Sequence, residues 1–208
     1  MPPSLGAGLR ETFGDIDIYL FDQFLRGRFD RRRRVLDAGC GDGRNLRYLL
    51  GRGYECHGID RDAPAVARLR ALASTSTPGE GPERFVVGEV TALPWPDASM
   101  DAVICSAVLH FAADADHFRR MVDEMWRVLA PDGLLFARLA SNIGIEAAVG
   151  PAGRRVRLPD GSERFIVDEA MLLETGARLR GQLADPIKTT NVQGQRCMTT
   201  WCLVRLEA

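Results

Sequence analysis

The chain has 208 residues, 46% of them hydrophobic, and a formal net charge of −1 at pH 7. This length and composition predict one buried core, and therefore a single domain over 1–208. The balanced charge argues against nucleic-acid binding, which needs a concentrated basic face. The N-terminus does not resemble a signal peptide, and no run reaches the ~18 apolar residues of a membrane span, so we expect a cytoplasmic protein without membrane contact.

The cysteine pattern predicts reduced, buried thiols. The chain has five cysteines, an odd number, and most of them lie in apolar, strand-like runs. No pair has the Cys-x-x-Cys spacing of a zinc site or of a redox motif. We therefore expect neither disulfides nor a bound metal.

The first predicted element is a helix over 16–29, which places Ile16, Tyr19, Leu20 and Phe24 along one stripe. We expect this helix to pack near the mouth of the cofactor site, so that residues 1–30 form an N-terminal helical lid. Tyr19 and Phe21 either close over a bound cation as aromatic groups or pack in the core.

Apolar strands and helices then alternate along the chain. Strands are predicted over 35–38, 54–59, 84–87, 101–106 and 134–139, and helices over 44–50, 63–73 and 114–129. Alternation of this kind, with nearly continuous apolar strands, predicts a parallel, doubly wound sheet. Pro131-Asp132-Gly133 is expected to end the last of these helices.

The last third of the chain departs from this alternation. A hairpin is predicted over 154–167 and a helix over 168–179, so that 141–180 form an insertion before two final strands at 182–187 and 198–206. Strands joined by so short a loop are antiparallel. The predicted fold class is α/β: a Rossmann-like, doubly wound, seven-stranded sheet, mostly parallel with an antiparallel last strand.

A glycine-rich turn after the first strand predicts a cofactor site. Three glycines at alternate positions let the backbone turn sharply and approach a ligand, and the amides of the next helix point toward that ligand. The second strand ends at Asp60, 17 positions after Gly43 (60 minus 43). This spacing is close to the ~20 positions expected for an acid that accepts ribose hydroxyls.

The details of the turn disfavour NAD. The dehydrogenase fingerprint requires Gly or Ala at its sixth position, which here is Arg44 counted from Gly39 and Leu46 counted from Gly41. S-Adenosylmethionine instead carries an ammonium and a sulfonium, for which the carboxylate of Asp37 is electrostatically suited. An NAD-dependent oxidoreductase is therefore the less favoured reading.

The pattern Asp37-x-Gly39-x-Gly41-x-Gly43 resembles motif I of the class I S-adenosylmethionine-dependent methyltransferases. Segments 87–97, 99–104 and 126–133 also resemble that family, and Arg44-Asn45 looks most like its small-molecule and tellurite-resistance-type branch. The resemblance implies that Asp37 lies near the methionine amino group and that Glu89 and the Val90 backbone contact adenine. The whole set of expected cofactor-binding residues is Asp37, Gly39, Cys40, Gly41, Gly43, Asn45, Asp60, Arg61, Glu89, Val90 and Ser106.

The expected reaction is in-line methyl transfer to a small-molecule acceptor. Positioning and desolvation of the reactants can supply most of the acceleration of such a reaction. His110 is the candidate general base, with loop packing as the alternative. Arg138, inside the fifth strand, either anchors an anionic acceptor or pairs with a carboxylate. A catalytically inactive S-adenosylmethionine-binding sensor or partner subunit is the alternative function, and the sequence sets no oligomeric state.

Overall fold

The computed structural model describes residues 5–76, 81–149 and 153–207. Residues 1–4 of the predicted lid and 150–152 of the predicted insertion lie outside these ranges. The helices are α1 (Leu5–Phe13), α2 (Ile18–Leu25), α3 (Arg47–Gly51), α4 (Ala63–Ser76), α5 (Ala115–Val128), α6 (Glu146–Val149) and α7 (Glu169–Arg178). The strands are β1 (Arg34–Ala38), β2 (Glu55–Asp60), β3 (Phe85–Val87), β4 (Met100–Ser106), β5 (Leu129–Ser141), β6 (Arg155–Arg157), β7 (Glu163–Phe165), β8 (Gly181–Leu183), β9 (Lys188–Val192) and β10 (Arg196–Arg205).

The main sheet has the order β3-β2-β1-β4-β5-β10-β8, with β9 also paired to β10. The first five strands in this order are parallel, and β10 is antiparallel to β5. This arrangement confirms the predicted mostly parallel α/β sheet with an antiparallel last strand. Because the chain order reverses between β1 and β4, the crevice at the carboxyl ends of these strands is where a ligand is expected.

The sheet of the described residues has eight strands rather than the seven predicted. β8 and β9 pair with opposite ends of the same strand, β10, so they share one edge position. The predicted strand over 182–187 was wrong in extent, since Pro186 lies between the two short strands. Proline has no amide hydrogen to donate, and it interrupts the pairing at a sheet edge.

Apolar side chains of the strands alternate between two core layers. In β4, Val103 and Cys105 face one layer, whereas Ala102 and Ile104 face the other. The first layer packs against α5 and α7, and the second against α2, α3 and α4. The sheet is therefore covered on both faces, as a doubly wound fold requires.

The bounds of several elements differ from the sequence predictions. Helix α2 is shorter than 16–29, because Asp17 caps it through the Tyr19 amide and it ends at Leu25. Helix α3 begins at Arg47 rather than at residue 44, and α1 precedes the first helix that the sequence predicts. Helix α5 ends before the Pro-Asp-Gly turn, and residues 130–133 bulge out of β5.

The predicted hairpin and the helix after it are confirmed. Strands β6 and β7 form the predicted antiparallel hairpin, and α7 follows it with Asp168 as its N-cap. All five cysteines are buried, and none of them forms a disulfide. In the part of the chain that the structure describes, no helix has the length and apolar character needed to cross a membrane.

Candidate active site

The glycine turn follows β1 and is shaped by three left-handed residues. Gly39 has φ +90°, and a Cβ there would lie 2.2 Å from Val108 Cγ2. Gly43 has φ +88°, and its Cβ would lie 2.4 Å from Leu69 Cδ1. Gly41 has φ +51° with open space around the Cβ position. The first and third glycines are therefore required by packing within the protein, and the middle one faces open space.

Asp60, at the end of β2, stabilises this turn through hydrogen bonds. Its Oδ2 accepts the Gly41 amide at 2.9 Å, and its Oδ1 accepts the Asp62 amide at 2.9 Å. The amides of Gly39 and Cys40 both donate to the carbonyl of Ile59, at 2.8 and 3.0 Å. The carboxylate thus holds the backbone of the turn while also lining the adjacent cavity.

A cavity of about 360 Å³ opens at the carboxyl ends of β1, β2, β3 and β4. Each strand end contributes at least one lining residue: Gly39, Asp60, Gly88 and Ser106. The other lining residues are Arg44, Arg61, Glu89, Val90, Ala107, Val108, Phe111, His117 and Met121. Its wall is therefore part apolar and part charged, with two carboxylates and two guanidinium groups.

His117 lines this cavity, although the sequence analysis did not select it. The imidazole Nδ1 accepts the Ala113 amide at 3.0 Å, while the His117 amide donates to Asp114 Oδ1 at 2.7 Å. With Nδ1 used as an acceptor, the neutral ring carries its hydrogen on Nε2. The available signal was the Asp114-x-x-His117 spacing, which is typical of a helix N-cap and its third residue.

Asp37 is a fully buried carboxylate at the end of β1. Neither of its oxygens has a hydrogen bond of standard geometry among the described residues. Burial raises the pKa of Asp37 to about 8, while the positive charge of Arg44 and the side chain of Asn45 oppose that shift. A buried carboxyl of this kind, beside a wall that carries Asp60 and Glu89, can pair with a cationic ligand group.

A polar network joins the N-terminal helices to the strand ends. Asp17 Oδ2 accepts the Ser106 hydroxyl at 2.8 Å and Arg138 Nη1 at 3.3 Å. Arg44 Nη2 donates to the same hydroxyl at 3.3 Å, and the Arg138 guanidinium lies 4.6 Å from the centre of the Tyr19 ring. Of the two roles predicted for Arg138, the structure contains the pairing with a carboxylate.

His110 lies in the 3-10 turn after β4 and is 5% exposed. Its ring centre is 4.6 Å from that of Phe111, and its Nδ1 has no partner among the described residues. Burial lowers the pKa of His110 to about 4, with a further lowering from the charge of Arg164. The imidazole is therefore neutral at pH 7, and it is not one of the residues that line the cavity.

The predicted cofactor residues fall into two groups. Those on the cavity wall are Gly39, Asp60, Arg61, Glu89, Val90 and Ser106. Outside that wall, Asp37 is fully buried, and the Gly41 amide donates to Asp60. Asn45 accepts the Asp17 amide at 3.1 Å, and Cys40 and Gly43 pack in the core. The Cys40 thiol lies against Gly58 in β2, and the Cys40 carbonyl accepts the Gly43 amide at 2.9 Å, so Cys40 shapes the turn. Among the described residues, no group of three or more His, Cys, Asp or Glu could hold a metal ion.

Comparison with known proteins gives the family. Residues 36–137 match the model of a family described as a methyltransferase domain. A malonyl-[acyl-carrier protein] O-methyltransferase from Enterobacter lignolyticus is 31% identical over 163 residues, which are 77% of this chain and 60% of that protein. Residues 36–137 are therefore a class I S-adenosylmethionine-dependent methyltransferase domain. The cofactor of such a domain is S-adenosylmethionine, and Asp60 and Glu89 on the cavity wall, with the buried Asp37, are residues that could hold it.

Solved methyltransferase structures share this fold. One from Methanosarcina mazei aligns with a TM-score of 0.66 at 20% identity, over 89% of this methyltransferase and 98% of that chain. A magnesium protoporphyrin IX methyltransferase from Synechocystis with bound S-adenosylhomocysteine aligns with a TM-score of 0.63 at 18% identity, over 99% and 89% of the two chains. The chain spans about half the length of the curated relatives it matches, from 42% to 60% for three of them.

Proposed function

We propose that this methyltransferase transfers a methyl group to a small-molecule acceptor by in-line displacement. S-Adenosylmethionine supplies an electrophilic methyl group on a sulfonium. The observation that carries the proposal is the cavity that runs across the ends of four parallel strands, from Gly39 and Ser106 past Asp60 to Glu89 and Val90. A cavity that crosses several strand ends suits an extended ligand such as a nucleoside bearing an amino-acid chain.

Each part of the wall is proposed to hold one part of the cofactor. Asp60 would accept the ribose hydroxyls with the lone pairs that Gly41 and Asp62 leave free. Glu89 would accept the adenine amino group, with the apolar side chains of Val90 and Met121 beside the ring. By elimination, the methionine end would lie at Gly39, Arg44 and Ser106.

The acceptor is proposed to be a small molecule or an acyl group. The relatives are named for malonyl-[acyl-carrier protein] and for magnesium protoporphyrin IX, which are acceptors of these two kinds. A net charge of −1 gives no electrostatic support for a nucleic-acid acceptor. Five buried cysteines, none of them in a disulfide, support the expectation that the protein works in the reducing cytoplasm.

Positioning is proposed to matter more than proton removal. His110 is neutral at pH 7, which is the form a base needs, but a conjugate acid with a pKa of about 4 has little tendency to hold a proton. An acceptor that arrives already ionised needs no base. The walls of the cavity would then act by aligning the acceptor and excluding water.

Calorimetric titration with S-adenosylmethionine, S-adenosylhomocysteine and NAD tests the cofactor assignment. We expect micromolar binding of the first two and none of NAD, and binding of NAD alone would overturn the proposal. A second assay follows labelled methyl from the cofactor to a panel of carboxylate, thiol, amine and hydroxyl acceptors. Cofactor binding without transfer to any acceptor or to water would favour the alternative, a S-adenosylmethionine-binding sensor or partner subunit.

A further inference from the structure

We propose that Asp17 is a positioning residue that sets the methionine end of the cofactor site. The inference rests on the proposed function, because it assumes the cofactor orientation given there. Asp17 and Arg138 both lie outside residues 36–137, the part of the chain that matches the family model. Their contribution to the site is therefore a feature of this chain and not of the matched family segment.

Asp17 is nearly inaccessible to solvent, and all its polar groups are engaged. Its side chain is 2% exposed. Oδ1 accepts the Tyr19 amide at 2.9 Å, while Oδ2 accepts the Ser106 hydroxyl at 2.8 Å and Arg138 Nη1 at 3.3 Å. The Asp17 amide donates to Asn45 Oδ1 at 3.1 Å. One residue thus links the glycine-turn segment, β4, β5 and the start of α2.

Two of these links lead directly to the cavity wall. Ser106 lines the cavity, and its hydroxyl hydrogen is committed to Asp17, so the oxygen is left to accept the Arg44 guanidinium at 3.3 Å. Arg44 also lines the cavity. The carboxylate of Asp17 therefore orients the hydroxyl and, through it, the guanidinium at the end proposed for the methionine group.

Arg138 and Tyr19 also contact the carboxylate of Asp17. Arg138 is only 21% exposed, so without Asp17 its charge would be left partly buried and without an ion-pair partner. The guanidinium stacks on the Tyr19 ring at 4.6 Å, and the Tyr19 hydroxyl hydrogen-bonds to the Thr190 hydroxyl in β9. The start of α2 is therefore attached to the sheet at both Asp17 and Tyr19.

None of these contacts reaches the adenine end of the cavity. Among the described residues, no hydrogen bond or ion pair joins Asp17 to Glu89, Val90 or Met121, so a change at Asp17 should alter recognition of the amino-acid part of the cofactor and not of its nucleoside part. This separation distinguishes positioning from a general effect on folding, which would weaken the binding of every ligand.

The test compares two ligands on one variant. Asp17→Asn keeps the oxygen that caps α2 but places an amide where Ser106 and Arg138 donate. We expect S-adenosylhomocysteine to bind about tenfold more weakly to this variant, as loss of hydrogen bonds to a charged group predicts. The affinity for 5′-methylthioadenosine, which lacks the amino-acid part, should stay unchanged. Both affinities are measured by calorimetry on the full chain.

Asp22→Asn is the matched control, because Asp22 lies on the same helix, is 36% exposed and pairs with Arg26 at the surface. It should leave both affinities unchanged. Arg138→Gln, a second variant that keeps Asp17 intact, should produce a smaller loss with the same ligand selectivity. Equal losses for both ligands, or no loss for either, would overturn the role of Asp17. If neither ligand binds the unaltered protein, the proposed function itself fails.

Discussion

The segment 36–137 and the segments on either side of it are held together by different contacts. Within 36–137, the glycine turn rests on backbone hydrogen bonds to its neighbouring strand, such as Gly39 to Ile59 at 2.8 Å. The flanking segments meet through side chains: Asp17 and Arg138 pair across 121 positions of sequence, and Tyr19 and Thr190 across 171. The first kind of contact depends on a local motif, whereas the second depends on how the whole chain folds.

This difference separates two parts of the site. The residues proposed to hold ribose and adenine belong to strand ends inside 36–137, where parallel pairing fixes their positions. The proposed methionine end also depends on Asp17 and Arg138, which are contributed from outside that segment. Mutations should therefore affect the two parts of the site in different ways, and the following variants test this.

The largest effect is expected at Gly39. Gly39→Ala combines a left-handed φ with a Cβ 2.2 Å from Val108 Cγ2, so it should destabilise the fold by about 3 kcal/mol. Gly41→Ala has the φ strain without the clash and should cost about 1 kcal/mol. Urea unfolding of both variants measures the difference. Equal costs would mean that Val108 does not constrain the turn.

The next effect is expected at Asp60. Asp60→Ala should weaken S-adenosylmethionine binding by about 1–3 kcal/mol, because charge-assisted hydrogen bonds to the ribose are lost. Calorimetry gives the affinity, and circular dichroism verifies the fold. Asp42→Ala is the control, since Asp42 is an exposed carboxylate in the same turn. Unchanged affinity in a folded Asp60 variant would contradict the ribose assignment.

The raised pKa of Asp37 predicts that the stability of the cofactor-free protein depends on pH. Its pKa is about 8 when folded and about 4 when unfolded, so between these values only the unfolded state has lost the proton. Stability therefore falls as pH rises through this range. The buried imidazoles of His57 and His110 have lowered pKa values and act in the opposite sense below about pH 6.5. The Asp37 effect is thus isolated between about pH 6.5 and pH 8.

Over that window we expect a loss of about 2 kcal/mol in the free energy of unfolding. Asp37→Asn cannot ionise and should abolish the loss. A cationic ligand group beside Asp37 would favour the ionised form, so the affinity for S-adenosylmethionine should rise over the same window. Chemical denaturation at several pH values measures the free energy of unfolding. If this free energy fell with pH as steeply in Asp37→Asn as in the unaltered protein, the raised pKa of Asp37 would be contradicted.

The smallest effect is expected at His110. His110→Gln should lower turnover by about tenfold or less while leaving S-adenosylmethionine affinity unchanged, because the buried imidazole is a weak base. Turnover is measured on whichever acceptor becomes labelled in the panel. His57→Gln is the control. His57 lies on β2, and its ring packs against the Trp95 ring with 5.7 Å between the ring centres. Unaltered turnover of the His110 variant would mean that His110 serves only in packing.

Most of the fold could be predicted from sequence because its signals are local. Apolar strands, the N-caps Asp114 and Asp168 and the hairpin all leave patterns within a few neighbouring residues, and the structure contains each of them. The division of the edge position into β8 and β9 could not be predicted, because it depends on pairing with two ends of β10. Helix α1 lacked a clear apolar stripe at the start of the chain.

The candidate site also contains residues that local sequence patterns predict and residues that depend on distant contacts. Asp60 could be selected because it follows an apolar strand at a characteristic distance from the glycine turn, and Glu89 because its segment resembles the methyltransferase family. His117 and Asp17 were missed, since their importance comes from the residues they approach. In the sequence, Asp17 falls inside the helix predicted over 16–29, and its contact with Ser106 spans 89 positions.

By itself, the sequence determined the sheet-and-helix alternation, the glycine turn and the acid at the end of β2, because strand periodicity and left-handed turns are encoded by adjacent residues. Only the tertiary structure decided that Arg138 pairs with Asp17, that His110 lies off the cavity wall and that His117 lies on it. Ion pairs and burial depend on which distant segments meet, and that choice is made by the packing of the whole chain.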